Sequence, residues 1–276
     1  MNWRVFIPNL FTCLNLFFGC IGIYLACNEN ILYASGCIAI AAVFDFFDGL
    51  LARWLNGGSE LGKQLDSLAD CVTFGVLPGI IMFQLITINY GEYNVPVFER
   101  PLTHVLISLS GFIISVFSAL RLAKFNLDTR QSESFLGVPT PANAILIASF
   151  PPIIALQYNL NLYSSEYFNT LNYFLTIPDF YSPLDMLVIR LICSPKFMAT
   201  LSILLSLLLV VEIPLFSLKF KKWKWRRNKT RYIFIFSSLF ILVTMNFTKL
   251  YFLSVPFIIA LYIGLSIAYY LIKGRV

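Results

Sequence analysis

Four aspartates are grouped within a chain that is otherwise poor in charge. Asp45 and Asp48 are three residues apart, and Asp66 and Asp70 are four residues apart. Because residues with these spacings lie on one face of a helix, each pair places two carboxylates on the same side. A tight connection between two such helices would bring all four carboxylates together.

Four carboxylates at close range need a compensating charge, since mutual repulsion would otherwise force some of them to take up protons. Carboxylate oxygens are the ligands that hard divalent cations prefer, which predicts Mg²⁺ or Mn²⁺ as the cofactor. The number of carboxylates is sufficient for two ions. Because such ions also bind phosphate oxygens, the cluster predicts a site for a pyrophosphate group.

Small and basic residues beside the cluster support a phosphate site. Gly49 and Gly62 leave room where a substrate or a neighbouring backbone must approach. Arg53, about two turns after Asp45, can donate two hydrogen bonds to a phosphate. Structural pairing of the acids, or the cation pathway of a divalent-cation transporter, is the alternative interpretation. Transporter sites usually lie near the membrane midplane in related halves of a chain, whereas this cluster occurs once and near the end of a span.

The surrounding sequence is that of a membrane protein. Of the 276 residues, 58% are hydrophobic and 12% are charged, whereas an average soluble domain is about 25% charged. Apolar runs long enough to cross about 30 Å of hydrocarbon recur along the chain. We count eight, at residues 5–27, 31–55, 68–90, 104–125, 142–158, 197–216, 232–247 and 253–272. The sequence therefore predicts an all-α integral membrane protein, a polytopic bundle of about eight transmembrane helices.

The distribution of lysine and arginine predicts the orientation of the bundle. With Met1 inside, 16 of the 20 basic residues fall on the cytoplasmic side, and the exceptions are Arg100, Arg190, Lys196 and Lys249. Basic residues favour the cytoplasmic side of short loops, so both termini and the aspartates are expected to face the cytoplasm at the cell membrane. The first run has no small-residue cleavage site, which predicts a retained helix and not a signal peptide.

Two connections between spans have unusual compositions. Residues 219–231 interleave eight lysines and arginines with aromatic side chains. Nucleic-acid binding is one interpretation, but a membrane anchor is simpler, because basic side chains meet anionic head groups and tryptophan prefers the interface. We therefore expect no nucleic-acid partner. The aromatic-rich connection at 159–194 either lies along the interface or contributes to a dimer contact.

The aspartates also belong to a sequence motif. From Asp45 to Asp70 the chain reads D-x-x-D-G-x-x-A-R, eight residues, then G-x-x-x-D-x-x-x-D. This is the signature of the CDP-alcohol phosphatidyltransferases, which the chain resembles at every fixed position. Further segments resemble the bacterial and archaeal phosphatidylserine synthase branch of that family, at residues 8–19, 59–62, 64–70, 73–75, 119–126 and 137–142.

The resemblance covers about residues 5–216 and implies a six-helix core. Residues 1–218 would then form the transmembrane core of the family. Residues 219–231 would be a basic cytoplasmic loop, and 232–276 a pair of C-terminal helices without a catalytic role. A homodimer is the usual form in the family and is expected here.

The resemblance further implies roles for individual residues. The metal ions would be held by Asp45, Asp48, Asp66 and Asp70, with Asp70 also acting as general base. The CDP-lipid would contact Gly49, Arg53, Ser59, Asn9, Thr12 and Gly62. An acceptor serine would be bound by Arg121, Lys124 and Glu60, the first two at its carboxylate and the third at its ammonium. The alternative for Arg121 and Lys124 is that they only mark the cytoplasmic boundary.

The activity that the resemblance implies is transfer of a phosphatidyl group from CDP-diacylglycerol to L-serine, with release of CMP. Within the same family the alternatives are a glycerol-phosphate or inositol-type acceptor, or an archaeal lipid as donor. A phosphorylated acceptor would require a stronger basic cluster, and inositol a neutral pocket rich in hydroxyl partners. An acceptor with both a carboxylate and an ammonium is better matched by one basic and one acidic partner near the metal site.

Overall fold

The computed structural model describes residues 3–127, 134–158, 160, 183–216, 225–248 and 250–273. Its helices are α1 (Trp3–Cys27), α2 (Ile31–Trp54), α3 (Glu60–Asn89), α4 (Leu102–Leu127), α5 (Thr140–Gln157), α6 (Pro183–Ile192), α7 (Pro195–Val210), α8 (Trp225–Phe247) and α9 (Ser254–Lys273). Two short strands are β1 (Ser134–Leu136) and β2 (Pro214–Phe216). A π-helical turn, Val72–Val76, interrupts α3, and a 3₁₀ turn, Ser110–Phe112, interrupts α4.

The architecture confirms the predicted polytopic helical membrane fold. Seven helices are long and apolar enough to cross a membrane, and α6 with α7 make an eighth crossing if this pair, bent by 77°, counts as one span. The bend falls where Ser194 caps α7 by accepting a hydrogen bond from the N–H of Phe197, with Pro195 at the first helical position. With eight crossings both termini lie on one side of the membrane; which side is cytoplasmic stays a prediction from charge.

Two predicted span boundaries are wrong. The third span begins at Glu60 and not at residue 68. The sixth was predicted to run to residue 216, but α7 ends at Val210, and Pro214–Phe216 pairs antiparallel with Ser134–Leu136. Pro214 has no N–H to donate within a helix, which favours the extended conformation. Residues 219–224 of the predicted basic loop lie outside the described residues, whereas 225–231 belong to the start of α8. Most of the 159–194 connection also lies outside them, and its described end includes α6.

Helix α3 lies at the centre of the bundle and packs against α1, α2, α4, α5 and α7. In its apolar window 67% of the residues are buried, compared with 6% for α8 at the periphery. Its fully buried side chains include Phe74, Leu77 and Ile81. Because neighbours surround α3, packing fixes the position of the two aspartates that it carries.

The orientation of the bundle can be tested with single cysteines in a variant that lacks the six native ones. Gly58, Asn94 and Lys229 are exposed, so each accepts a labelled cysteine. An impermeant thiol reagent added outside intact cells should label Asn94→Cys and spare Gly58→Cys and Lys229→Cys, because the charge bias places the last two inside. All three should react after permeabilisation. Labelling of Gly58→Cys from outside would reverse the predicted orientation.

Candidate active site

The aspartate cluster forms where the end of α2 meets the beginning of α3. Carboxylate oxygens of Asp45, Asp48 and Asp66 lie within 4.8 Å of one another. Asp70 adjoins them, because its carboxyl is within hydrogen-bonding reach of Asp45. The structure thus brings together the four carboxylates whose spacing predicted a common site.

The connection between α2 and α3 is held closely against α1. A Cβ atom at Gly57 would lie 1.9 Å from the carbonyl oxygen of Arg4, so the connection needs glycine there. Ser59 is the N-cap of α3 and accepts a hydrogen bond of 3.0 Å from the N–H of Gly62. A Cβ at Gly62 would lie 2.8 Å from Oδ1 of Asn9. These close approaches set the distance between the two aspartate pairs.

Helix α1 orients one aspartate from each of the other two helices. Asp48 and Asp70 are both buried. The hydroxyl of Thr12 donates to Oδ2 of Asp48 at 2.7 Å, and Nδ2 of Asn15 donates to Oδ1 of Asp70 at 3.3 Å. Asn15 is fixed in turn, since its carbonyl oxygen accepts a hydrogen bond of 3.2 Å from the hydroxyl of Thr73.

The cluster has the chemistry of a metal site. In the described parts of the chain, no lysine or arginine forms an ion pair with any of the four aspartates. Grouped, partly buried carboxylates are unfavourable without a compensating charge. Three carboxylate oxygens within 4.8 Å suit one hard divalent cation. The residues therefore fit a metal ion and could hold one.

A cleft of about 240 Å³ opens beside the cluster. Among its lining residues are five of the six that were predicted to contact the CDP-lipid, namely Asn9, Thr12, Gly49, Ser59 and Gly62. Asp48 and Asp66 form part of its wall. A Cβ at Gly49 would meet nothing within 4 Å, so this glycine adjoins open space. The cleft therefore lies against the carboxylates on the side formed by α1, α2 and the start of α3.

Two basic residues near the cleft differ from the prediction: one predicted phosphate ligand lies outside the cleft lining, and one residue without a predicted role lies in it. Arg53 does not line the cleft; it is exposed, and its Nε donates to the carbonyl oxygen of Gly49 at 2.8 Å. Lys63 does line the cleft, although the sequence analysis gave it no role. Lys63 occupies a variable position of the signature, but it lies three residues before Asp66 on α3. This helical spacing is the signal by which it could have been found.

Arg121 does not line the cleft; it lies on α4, which packs against α3. In the antiparallel pair of α3 and α4, Asn126 donates to Ser67 at 2.8 Å, and a Cβ at Gly75 would lie 3.0 Å from Ser118. This alignment places Arg121 opposite the turn that follows Asp70, and the two side chains are within electrostatic range. Arg121 is only 7% exposed, and its Nε has no hydrogen-bond partner in the described part of the chain.

The other two residues predicted to bind serine are not gathered around Arg121. Lys124 is exposed, one turn further along α4, and Glu60 is exposed at the first turn of α3. Their roles stay predictions. Arg121 is buried, whereas basic residues that mark a membrane boundary normally extend their charge into water.

The last helix reaches the same region. Tyr262 of α9 is within electrostatic range of Arg121, and its ring lies 5.5 Å from that of Phe234 on α8. The C-terminal helices are expected from the sequence to have no catalytic role. A tyrosine within an apolar span is ordinary, so no signal in the sequence could have singled out Tyr262.

The fold and the cluster together define a polytopic membrane protein in which a carboxylate cluster that could hold a metal ion lies beside a cleft. The family model described as CDP-alcohol phosphatidyltransferase matches residues 5–178, which include the four aspartates and the whole cleft. The chain belongs to this family.

Relatives with assigned names match about half of this chain. A CDP-diacylglycerol–serine O-phosphatidyltransferase of Helicobacter pylori (strain J99) is 34% identical over 142 residues, which are 51% of this chain and 54% of that protein. The Bacillus subtilis protein of the same name is 33% identical over 154 residues, which are 56% of this chain and 77% of that protein. An archaetidylserine synthase of Methanothermobacter thermautotrophicus is 31% identical over 147 residues, which are 52% of this chain and 57% of that protein. The chain thus spans about half the length of the Helicobacter relative.

Proposed function

We propose that this protein transfers a phosphatidyl group from CDP-diacylglycerol to the hydroxyl of L-serine and releases CMP. The observation that carries the proposal is the position of the aspartate cluster between two different environments. On one side lies the cleft, which is lined by five of the six predicted CDP-lipid residues. On the other lies the buried guanidinium of Arg121. The names of the bacterial and archaeal relatives support serine as the acceptor.

The donor would occupy the cleft. Asn9, Thr12 and Ser59 offer hydrogen-bonding groups to the nucleotide, and Lys63 offers a positive charge to a phosphate. Asp45, Asp48, Asp66 and Asp70 would hold two ions, Mg²⁺ or Mn²⁺. When bound, such ions supply positive charge against the pyrophosphate oxygens.

The acceptor would approach from the side of Arg121. The serine oxygen forms a bond to the β-phosphorus, the bond from that phosphorus to the CMP oxygen breaks, and CMP leaves. Asp70 accepts the hydroxyl proton at Oδ2, because Asn15 already donates to Oδ1. Arg121 pairs with the serine carboxylate and so orients the hydroxyl towards Asp70. The reaction needs positioning and charge stabilisation and no covalent intermediate with the protein.

Location and assembly are parts of the same proposal. The cluster lies at the ends of α2 and α3 that the charge bias assigns to the cytoplasm. CDP-diacylglycerol would therefore be used at the cytoplasmic face of the cell membrane, by a homodimer as the resemblance implies.

The direct test is an acceptor panel. Purified protein is incubated with CDP-diacylglycerol and Mg²⁺ or Mn²⁺, and CMP release is measured with L-serine, glycerol 3-phosphate or inositol. Serine-dependent release is expected, and the lipid product should contain serine. Release with only one of the other acceptors would leave the family assignment in place but overturn the choice of serine. Metal uptake into vesicles without any CMP release would favour the transporter.

Two arginines should separate the donor side from the acceptor side. Arg53→Ala is expected to raise the KM for CDP-diacylglycerol several-fold, because the exposed guanidinium lies against Gly49 of the cleft lining and an exposed ion pair contributes up to about 1 kcal/mol. The KM for serine should change little. Arg121→Lys should do the reverse, because lysine keeps the charge but loses the paired donors that match a carboxylate. If both variants affect only the lipid KM, the acceptor side has been misplaced.

A further inference from the structure

Unpaired polar groups in the interior are concentrated around one turn of α3. In the described part of the chain ten buried side-chain atoms lack a hydrogen-bond partner, and six of them belong to Asn15, Ser118, Arg121, Thr140 and Asn143. These residues lie on α1, α4 and α5. Each of these helices packs against Val72–Val76, the π-helical turn that follows Asp70. Interrupted turns of this kind occur frequently at functional sites.

Such a concentration needs an explanation, because buried polar groups are normally hydrogen-bonded and an unpaired one is destabilising. The residues on α1 and α4 are already connected with the proposed chemistry, through Asp70 and Arg121. Thr140 and Asn143 on α5 have been given no role so far.

The start of α5 is rigidly placed. Gly137 has a φ of +76°, and a Cβ there would lie 2.5 Å from the carbonyl oxygen of Leu209 on α7, so glycine is required on both counts. The N–H of Val138 donates to the carbonyl oxygen of Leu208 at 3.0 Å. Pro139 then precedes the first turn of α5 as its N-cap. The segment 137–139 therefore anchors the first turn of α5 to the end of α7.

Thr140 and Asn143 lie on this anchored turn. They are three residues apart and so share one face, and each is only 1% exposed. Among the described residues, none forms a hydrogen bond with the hydroxyl oxygen of Thr140 or with either polar atom of the Asn143 amide. Helix α4 ends and α5 begins on the same side of the bundle as the aspartates, since the two helices are consecutive and antiparallel. Polar groups that are fixed in place and unpaired are suited to a ligand.

The chemistry of an amino-acid acceptor matches this set. A carboxylate requires donors, which the guanidinium of Arg121 provides. An ammonium requires acceptors, and the carbonyl oxygen of the Asn143 amide and the hydroxyl oxygen of Thr140 provide two. These neutral acceptors also leave the charge balance around the aspartates unchanged.

We propose that Asn143, assisted by Thr140, is a specificity-determining residue that accepts hydrogen bonds from the ammonium group of the acceptor amino acid. The inference rests on the proposed transfer to serine, and it adds the residues that recognise the second charged group of the acceptor. It also explains why Thr140 and Asn143 are buried without hydrogen-bond partners in the described part of the chain: they are paired when the acceptor is bound.

The test uses Asn143→Leu, which keeps the approximate shape and removes both polar atoms. With purified enzyme, the KM for L-serine is expected to rise about 10- to 100-fold, the effect of losing a hydrogen bond to a charged group. The KM for CDP-diacylglycerol should stay within about twofold, since the donor cleft is formed by other helices. The melting temperature should equal or exceed that of the wild type, because unpaired buried groups have been removed.

Asn89→Leu is the matched control. Asn89 is also a buried asparagine, but it lies at the other end of α3, where its Nδ2 donates to the carbonyl oxygen of Ile192 at 2.9 Å. Its replacement should lower the melting temperature and leave the KM for serine unchanged. Thr140→Val provides a second variant, with an expected rise in the serine KM of about 10-fold, the lower end of the effect of losing a hydrogen bond to a charged group.

The outcomes separate the possibilities. An unchanged serine KM in Asn143→Leu would mean that these atoms are only hydrated or only structural, and would overturn the inference. If Asn143→Leu does not fold, an unchanged serine KM in Thr140→Val overturns it instead. Wild-type protein that releases no CMP in response to serine would overturn the proposed function itself. Normal CMP release by the wild type, with an unchanged serine KM in the variants, would overturn only the role of Asn143 and Thr140.

Discussion

Removal of divalent cations is expected to abolish CMP release. The four aspartates form no ion pair with lysine or arginine in the described part of the chain. Their repulsion of a pyrophosphate group would be offset only weakly, by Lys63 in the cleft wall and by Arg121 near Asp70. Charge stabilisation by a bound metal contributes several kcal/mol, which corresponds to a loss of more than about 100-fold. The measurement is CMP release before and after excess chelator, with recovery on addition of Mg²⁺ or Mn²⁺.

Thermal unfolding gives a readout of the metal site that does not require activity. A cation that binds only the folded protein stabilises it, so Mn²⁺ alone should raise the melting temperature of the wild type. Asp45→Ala should remove most of this shift. Glu92→Gln is the matched control, because Glu92 is an acidic residue at the other end of α3 that pairs with His104. Undiminished CMP release in excess chelator would contradict the metal proposal.

The sequence was sufficient to locate the aspartate cluster, because helical spacing acts at short range. Pairs three and four residues apart lie on one face whatever surrounds them. Only the distance between the pairs depended on tertiary structure. That distance is set by Gly57 and Gly62, which allow the start of α3 to lie against Arg4 and Asn9.

The beginning of α3 illustrates where hydropathy fails as a guide. Residues 60–67 are largely polar, so an apolar window starts too late. The helix nevertheless begins at Glu60, because Ser59 caps it and because its polar face lies in the cleft. Ser59 is the signal in the sequence for the start of this helix, because serine is a favoured N-cap residue. The prediction for Ser59 was only a contact with the lipid.

The acceptor side was largely beyond sequence analysis. Arg121 could be proposed from resemblance, but its burial depends on how α3, α4 and α5 pack. Tyr262 comes from a helix outside the region that the family model matches. The unpaired state of Asn143 is a property of the folded interior, since it requires knowing that no group in the described part of the chain reaches the amide.

Replacement of the proposed general base should separate proton transfer from metal binding. Asp70→Asn keeps the shape and one oxygen but cannot accept the hydroxyl proton. Turnover is expected to fall by about 10²- to 10⁴-fold, the usual contribution of general-base catalysis. Affinity for CDP-diacylglycerol should largely persist, because Asp45, Asp48 and Asp66 still lie together. The measurements are CDP-lipid affinity in Mg²⁺ or Mn²⁺ and the rate of CMP release.

Asp66→Asn is the control that distinguishes loss of the general base from loss of a metal ligand. Asp66 lies one turn before Asp70 on α3, but it lines the donor cleft and belongs to the group of three close carboxylates. Its replacement should weaken both CDP-lipid affinity and turnover, because a ligand of the metal is lost. Near-normal turnover of Asp70→Asn at saturating metal and serine, across a range of pH, would show that the proton leaves through another group or through water. Equal loss of lipid affinity in both variants would instead assign Asp70 to metal binding alone.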